Sequence, residues 1–203
     1  MGFYAKYVLP RFIDLAMGNL DTRRLRAESI PQARGVVLEI GIGSGRNLEF
    51  YTREVQHVYG VDPSIELQRI ARQRIGAVDV EFLTQSAENS VGLPNASVDT
   101  AVITWTLCSI LKPLDALEEV RRVLKPAGSL IFIEHGHSPD ASVASWQDRL
   151  TPVWKKIGGG CHLNRRIDDI IRQAGFQISD LKTFHLPGPK PMTFTYQGIG
   201  RPA

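Results

Sequence analysis

The sequence has few cysteines and no long apolar run. Only two of its 203 residues are cysteines, Cys108 and Cys161, which is too few for a disulfide framework. No apolar stretch approaches the roughly 18 residues needed to span a bilayer, and no secretory segment precedes the first predicted strand. These absences predict a cytoplasmic protein without a transmembrane segment.

The sequence also has little excess charge. Lysine and arginine together number 24, aspartate and glutamate 21, and the net charge is +3. Arginine pairs are spread along the chain at 23–24, 121–122 and 165–166, and adjacent residues on a helix point to different sides. Because a nucleic-acid footprint should cluster its basic residues, the sequence predicts no nucleic-acid partner.

Large apolar side chains are frequent between Phe3 and Leu15. This segment is interpreted as a lid or a core-covering element. A helix lying on a membrane surface is the alternative, but Pro10 would interrupt the apolar stripe that such a helix needs. The segment therefore predicts at most a weak association with a membrane surface.

The stretch from Val36 to Gly45 is typical of a nucleotide-cofactor site. Its branched apolar residues predict a buried strand of a parallel sheet, and its glycines predict a tight turn that approaches a ligand closely. The pattern from Glu39 is E-x-G-x-G-x-G, whereas a dinucleotide fingerprint would need a glycine where Arg46 stands. Residues 47–51 are expected to begin a helix whose N–H groups face the ligand.

A second apolar strand, residues 57–61, ends in Asp62. This carboxylate follows Gly41 at close to the roughly 20-residue offset at which a βαβ unit meets a ribose. Asp62 is therefore predicted to accept hydrogen bonds from ribose hydroxyls. It is also a candidate cap for a helix beginning at Ser64, and the two roles can coexist.

The rest of the chain alternates strand and helix patterns. Further strands are predicted at 80–85, 100–104, 129–133, 178–185 and 192–199, and helices at 114–124 and 165–174. This alternation predicts a parallel sheet whose ligands lie outside the carboxyl ends of the strands. We expect Glu39, Asp62, Thr104 and Glu134 to gather at that edge.

No linker, internal repeat or low-complexity tract divides the chain. Residues 1–203 are predicted to form a single domain. Within it, 1–35 form an N-terminal lid segment, 36–135 the cofactor-binding core, and 136–203 the completion of the sheet with a loop of the acceptor pocket.

The motifs of residues 36–134 in combination resemble the class I S-adenosylmethionine-dependent methyltransferases, in the small-molecule, type 11 branch. They are E-x-G-x-G from Glu39, Val61-Asp62-Pro63-Ser64, Ala87-Glu88 followed by Leu93-Pro94, and Ser97-Val98-Asp99. The resemblance implies an α/β, Rossmann-like, doubly wound sheet of seven strands. This sheet would be mostly parallel with an antiparallel last strand. It also implies that S-adenosyl-L-methionine is the cofactor and S-adenosyl-L-homocysteine its product.

The resemblance implies roles for particular residues. Gly41 and Gly43 would contact the methionine moiety, Asp62 the ribose, and Ala87 with Glu88 the adenine. The complete predicted cofactor set is Tyr7, Glu39, Gly41, Ile42, Gly43, Asp62, Pro63, Ser86, Ala87, Glu88 and Thr104. Ser86 departs from the family, because many members carry an aspartate there to accept from the adenine amino group.

A closer resemblance concerns the membrane-associated thiol S-methyltransferases. The motifs that carry it are Thr106-Leu107-Cys108-Ser109, Ile133-Glu134-His135, Pro152-x-Trp154 and Gly160-Cys161-x-Leu163-Asn164. The long hydrophobic anchor of that group is missing, so membrane attachment is not implied. Methylation of a small molecule, with thiols among the acceptors, is implied.

The acceptor pocket is predicted between the N-terminal segment and the loop 158–164. His135 follows a strand at the cofactor end and is the candidate catalytic base, since a thiolate is the nucleophile in an in-line attack on a methyl group. The candidate lining residues are Tyr4, Tyr7, Cys108, His135 and Cys161.

Four other interpretations of the sequence concern a metal site, a different function or a different cofactor. His135, His137, Cys161 and His162 are residue types that suit zinc, but H-x-H and C-H pairs lack the spacing of structural zinc sites, so no metal is predicted. A cofactor-binding module without turnover and methylation of a phospholipid amine head group are the alternative functions. An NAD site is disfavoured by Arg46.

Overall fold

The computed structural model describes residues 9–203. The strands are β1 (Gly35–Ile40), β2 (Val55–Val61), β3 (Val80–Leu83), β4 (Val98–Thr104), β5 (Leu124–His135), β6 (Phe176–His185) and β7 (Phe194–Pro202). The helices are α1 (Leu9–Ala16), α2 (Leu20–Ser29), α3 (Ile65–Arg72), α4 (Pro113–Val123), α5 (Ala141–Ile157), α6 (Ile167–Gln173) and the single turn α7 (Lys190–Thr193).

The seven strands form one sheet in the order β3-β2-β1-β4-β5-β7-β6. The pairs from β3 to β5 are parallel, and β7 runs antiparallel to both β5 and β6. The predicted fold class is confirmed, including the antiparallel last strand. No helix within residues 9–203 has both the length and the apolar character that crossing a bilayer requires.

The central strands are buried on both faces. Val37 and Leu38 of β1, Ile103 of β4 and Phe132 of β5 are completely inaccessible to solvent. Parallel sheets are covered on both faces because their crossover connections lie there, and such strands read as continuous apolar runs. This burial fixes the sheet and leaves the loops at its carboxyl edge to form a site.

The segment between β1 and β2 differs from the sequence-based prediction. No helix begins at residues 47–51, where the chain makes only a 3-10 turn, Leu48–Phe50. The side chain of Asn47 is buried and bonded to Glu39 and Thr104, which draws this segment towards the sheet. The expectation of helix N–H groups facing a ligand there was wrong.

Two other elements differ from the prediction. Residues 125–128 lie between the predicted helix 114–124 and the predicted strand 129–133. In the structure they belong to β5, where its register with β4 is irregular. Helix α5 was not predicted, and it contains Pro152 in its interior.

Candidate active site

A cavity of about 1220 Å³ lies at the carboxyl ends of β1, β2, β4 and β5. Its lining includes every predicted site residue that the structure describes. These are Glu39, Gly41, Ile42, Gly43, Asp62, Pro63, Ser86, Ala87, Glu88, Thr104 and His135. Tyr7, the remaining predicted cofactor residue, and Tyr4 lie outside the described residues.

Gly41 and Gly43 have different reasons to be glycine. Both have positive φ, +72° and +53°. A Cβ on Gly41 would collide with the side chain of Thr106, whereas a Cβ on Gly43 would meet no atom closer than 3.7 Å. Gly41 therefore serves the packing of β1 against the loop after β4, and Gly43 keeps the cavity open.

We expect Gly41→Ala to destabilise the protein more than Gly92→Ala. Gly92 has nearly the same φ, +75°, but a methyl group added there would find no atom within 4 Å, so it reports the backbone strain alone. That strain is about 1–2 kcal/mol, and overpacking against Thr106 adds about 1–3 kcal/mol at Gly41. Chemical denaturation measures the free energy of unfolding of both variants. Equal losses of that free energy would contradict the packing role of Gly41.

Asp62 is a buried carboxylate at the end of β2. Its Oδ2 accepts from the backbone N–H of Gly43 at 3.0 Å, and its Oδ1 from that of Ser64 at 2.8 Å. Burial raises the pKa of Asp62, and the two backbone donors oppose the rise. Helix α3 is capped by Ser64, whose Oγ accepts from the backbone of Leu67. Each oxygen of Asp62 thus keeps a lone pair for a ligand in the cavity.

Glu39 lines the cavity and belongs to a hydrogen-bond network. Its Oε1 accepts from Asn47 Nδ2 at 2.9 Å and its Oε2 from the Tyr51 hydroxyl at 2.7 Å. Burial raises the pKa of Glu39 to about 7, against the effect of those two donors. Asn47 Nδ2 also donates to Thr104 Oγ1 at 3.0 Å. The network joins β1, β4 and the glycine loop into one floor.

Arg26 of α2 extends this floor. Its Nε donates to Asn47 Oδ1 at 3.0 Å, and its guanidinium carbon lies 4.6 Å from the centre of the Trp105 ring. Burial lowers the pKa of Arg26 to about 10, so it remains charged at neutral pH. No local sequence pattern marks Arg26, Asn47, Tyr51 and Trp105 as members of this floor, and only the fold brings them together.

Ser86, Ala87 and Glu88 follow β3 on another wall of the cavity. Ala87 is buried and apolar. Glu88 Oε1 accepts from the backbone of Lys112 at 2.7 Å, and the Ser86 hydroxyl lies 3.4 Å from Glu88 Oε2. Together these three residues form an apolar surface that is bordered by oxygen acceptors.

Helix α1 forms a wall of the cavity, and Asp14 ties it to the glycine loop. Arg46 Nε donates to Asp14 Oδ1 at 2.9 Å, while Arg74 donates to Oδ1 at 2.7 Å and to Oδ2 at 3.0 Å. Partial burial acts to raise the pKa of Asp14, but the donors from Arg74 and Arg46 outweigh it and hold that pKa well below its usual range. Phe12 and Ile13 of α1 line the cavity.

We expect Asp14→Asn to loosen α1 and weaken ligand binding in the cavity, by roughly 5- to 30-fold, because charge-assisted hydrogen bonds contribute about 1–2 kcal/mol more than neutral ones. Glu49→Gln, which breaks the exposed pair with Arg23, is the control with little expected effect. The lowered pKa also means that the contribution of Asp14 is complete above pH 3.8, its unfolded value, and falls as the pH drops below it. Equal effects of the two variants would contradict this role.

The other end of the cavity holds the cysteine–histidine cluster, formed by Cys108, His135 and Cys161. His135 Nδ1 lies 3.4 Å from Cys161 Sγ. His135 is buried, and its Nε2 has no hydrogen-bond partner among the described residues. A hydrogen bond between the two thiols lowers the pKa of Cys161 and raises that of Cys108 well above its ordinary value.

Glu134, which is buried, and Arg165, which is half-buried, hold the loop after β4, which carries Cys108. Glu134 accepts from the backbone N–H groups of Thr106, Leu107 and Cys108 at 2.7, 2.9 and 3.3 Å. Burial raises the pKa of Glu134 to about 7, against these three donors. Arg165 Nη1 donates to the carbonyls of Leu107 and Ile110 in the same loop.

Residues 38–132 match the family whose description is "Methyltransferase domain". A thiol S-methyltransferase of Rattus norvegicus, TMT1B, is 39% identical over 151 residues, covering 72% of this chain and 62% of the relative. A phosphatidylethanolamine N-methyltransferase of Cereibacter sphaeroides is 29% identical over 139 residues, covering 67% of this chain and 68% of that one. The chain thus spans about three fifths of the length of the rat relative.

Among solved structures, a protein of Leishmania major described as an S-adenosylmethionine-dependent methyltransferase superposes with a TM-score of 0.71. The two share 14% identity, and the match covers 98% of this chain and 80% of that one. At this identity the likeness concerns the fold alone.

Proposed function

The chain belongs to the class I S-adenosylmethionine-dependent methyltransferases, and from that membership we propose that it transfers the methyl group of S-adenosylmethionine to the sulfur of a small thiol. The observation that carries the proposal is the cysteine–histidine cluster, which lines the same cavity as the predicted cofactor residues. The thiol S-methyltransferase relative supports the choice of acceptor.

The residues around the cavity fit the cofactor. Asp62 retains lone pairs for two ribose hydroxyls, and the open space at Gly43 admits a ligand against the backbone. Ala87 offers an apolar surface to a purine ring, and Glu88 Oε2 with the Ser86 hydroxyl offers acceptors to an amino group. Ser86 thereby replaces the more common aspartate without removing all acceptors from this position.

When bound, the cofactor supplies an electrophilic methyl group on a sulfonium sulfur and leaves as S-adenosylhomocysteine. The chain has to exclude water and to hold the acceptor on the methyl axis. Helix α1 and the loop that contains Gly158, Gly159 and Cys161 serve the first task, since both line the cavity. We assign to His135 the promotion of thiol proton loss, because a free thiol ionises near pH 8.5 and the thiolate is the nucleophile.

The surroundings of His135 favour a neutral acceptor over an amine head group. The cavity-lining residues in contact with His135, or with Cys108 and Cys161 beside it, include Ser109, Trp154 and Thr195, none of which is a carboxylate. Glu134 lies close by, but its oxygens are taken by three backbone donors. A cationic amine would therefore meet no free negative charge beside His135.

Labelled cofactor and a panel of small thiols, amines, phenols and phospholipid head groups test the function. We expect the label to pass to thiols in preference to the other classes. Transfer only to head groups would identify the alternative substrate class. Calorimetric binding of S-adenosylhomocysteine without transfer to any acceptor would instead support a cofactor-binding module, and binding of NADH would contradict the cofactor assignment.

We further propose that the protein acts in the cytoplasm without a nucleic-acid partner. Both cysteines are free thiols although they lie close together, which suits a reducing compartment. Basic residues are dispersed along the sequence, whereas a nucleic-acid footprint would cluster them.

A further inference from the structure

The cysteine–histidine cluster brings together three soft or borderline ligands from three separate parts of the chain. Cys108 lies after β4, His135 ends β5, and Cys161 follows α5. One ligand atom from each, the two Sγ atoms and a ring nitrogen, lie within 4.8 Å of one another. His135 Nδ1 and Cys161 Sγ are 3.4 Å apart.

These separations are close to those of a zinc site. Zinc–sulfur bonds near 2.3 Å and zinc–nitrogen bonds near 2.0–2.1 Å in a tetrahedron place nitrogen and sulfur about 3.6 Å apart, and two sulfurs about 3.8 Å apart. In the sequence, the potential zinc ligands nearest to His135 and Cys161 are His137 and His162. The fold brings neither His137 nor His162 into the cluster. His137 lies outside the cavity lining, and His162 Nδ1 contacts the carbonyl of Cys108. Cys108 takes their place.

Hydrogen bonds within the protein position the ligand-bearing loops without a metal. Glu134 fixes the backbone of the loop that carries Cys108 through its three hydrogen bonds. The backbone N–H of His162 donates to the carbonyl of Cys108 at 2.8 Å, which joins the two cysteine-bearing loops. A metal site needs such supporting contacts, because they orient the ligands and reduce the cost of ordering them.

The cluster also has an open side. All three residues line the cavity, and no fourth ligand of a suitable type lies within the cluster in the described part of the chain. His135 Nε2, buried and without a partner there, remains for a hydrogen bond with a water or a bound molecule. Three protein ligands and one open position are the arrangement of catalytic zinc sites.

We propose that Cys108, His135 and Cys161 bind a zinc ion whose fourth position receives the acceptor thiol. The inference rests on the proposed function and names its activating group. When the thiol binds, the water at the fourth position leaves, the S–H bond breaks and its proton passes to solvent. A zinc–sulfur bond forms, and no oxidation state changes. His135 then promotes proton loss through the metal rather than by accepting the proton itself.

Metal content of the full chain tests the site directly. After loading with Zn²⁺ and exhaustive dialysis, wild-type protein is expected to retain one zinc per chain, and Co²⁺ loading to produce a sulfur-to-cobalt charge-transfer absorption. Cys108→Ser, Cys161→Ser and His135→Asn should each lose the retained metal and the absorption. His137→Asn is the matched histidine control and should keep both. Binding of S-adenosylhomocysteine reports whether each variant is folded.

A second measurement avoids the variants altogether. Bound Zn²⁺ should protect both thiols of the wild-type protein from alkylation, and a chelator should restore their reaction.

Absence of retained metal and of protection would overturn the site, and so would equal metal uptake by a folded Cys108→Ser, Cys161→Ser double variant. Thiol methylation at an unchanged rate by the metal-free protein would reject the metal while leaving the proposed function standing. Retained zinc without methylation of any thiol would reject the function but not the site.

Discussion

Replacement of His135 by glutamine is expected to lower the rate of thiol methylation by roughly 10²- to 10⁴-fold. This is the usual contribution of a group that promotes proton transfer in the transition state. Glutamine keeps a polar group of similar length but can neither accept a proton at neutral pH nor serve as a good zinc ligand. The loss should be most severe below the pKa of the acceptor thiol, where the thiolate is scarce. Initial rates over a range of pH measure it.

Cofactor affinity separates this role from a structural one. His135 belongs to the cysteine–histidine cluster and not to the wall formed by Asp62 and Gly43, so calorimetric affinity for S-adenosylhomocysteine should stay near that of the wild type. His137→Gln, two positions along the chain and outside the cavity lining, should retain full activity. Wild-type turnover in His135→Gln would remove His135 from the mechanism, and weakened cofactor binding would make its role structural.

Asp62→Ala is expected to weaken binding of S-adenosylhomocysteine by roughly 10- to 150-fold. The corresponding loss of about 1.5–3 kcal/mol is that of a charged hydrogen-bonding group and its two ribose contacts. Asp62→Asn should lose less, because one side-chain oxygen remains as an acceptor. Calorimetric titration measures both variants.

Asp62 also accepts from the backbone of Gly43 and Ser64, so the variants need a stability control. Thermal unfolding with and without ligand distinguishes a loosened loop from a lost ligand contact. Asp115→Ala, on the exposed start of α4, should bind like the wild type. Affinity unchanged by Asp62→Ala would contradict the assignment of this carboxylate to the ribose.

The parts of the site that the sequence predicts are those with local signals. The strand before Gly41, the carboxylate at Asp62 and the pair Ala87-Glu88 each stand within a short motif at a strand end, and the structure finds all of them around one cavity. Their adjacency follows from parallel pairing alone, because the carboxyl ends of neighbouring strands meet at one edge. Their functions remain predictions that the experiments above would test.

The parts that the sequence does not predict depend on contacts between distant residues. In the sequence Arg46 is notable only as a missing glycine, yet its guanidinium holds Asp14 of α1. Cys108, His135 and Cys161 were candidate lining residues, but nothing in their spacing indicates that their ligand atoms converge. Helix α5 was not predicted, and it continues to Ile157 although its interior contains Pro152, a residue type that usually interrupts a helix.

The attachment of α1 by Asp14 carries a kinetic consequence. Since α1 is a wall of the cavity, an outward movement of that wall would separate Asp14 from Arg46 and Arg74. These side chains are partly exposed, between 20% and 32%, so dissolved ions screen their attraction. Such an opening, and with it the release of S-adenosylhomocysteine past α1, is therefore expected to become faster as the ionic strength rises.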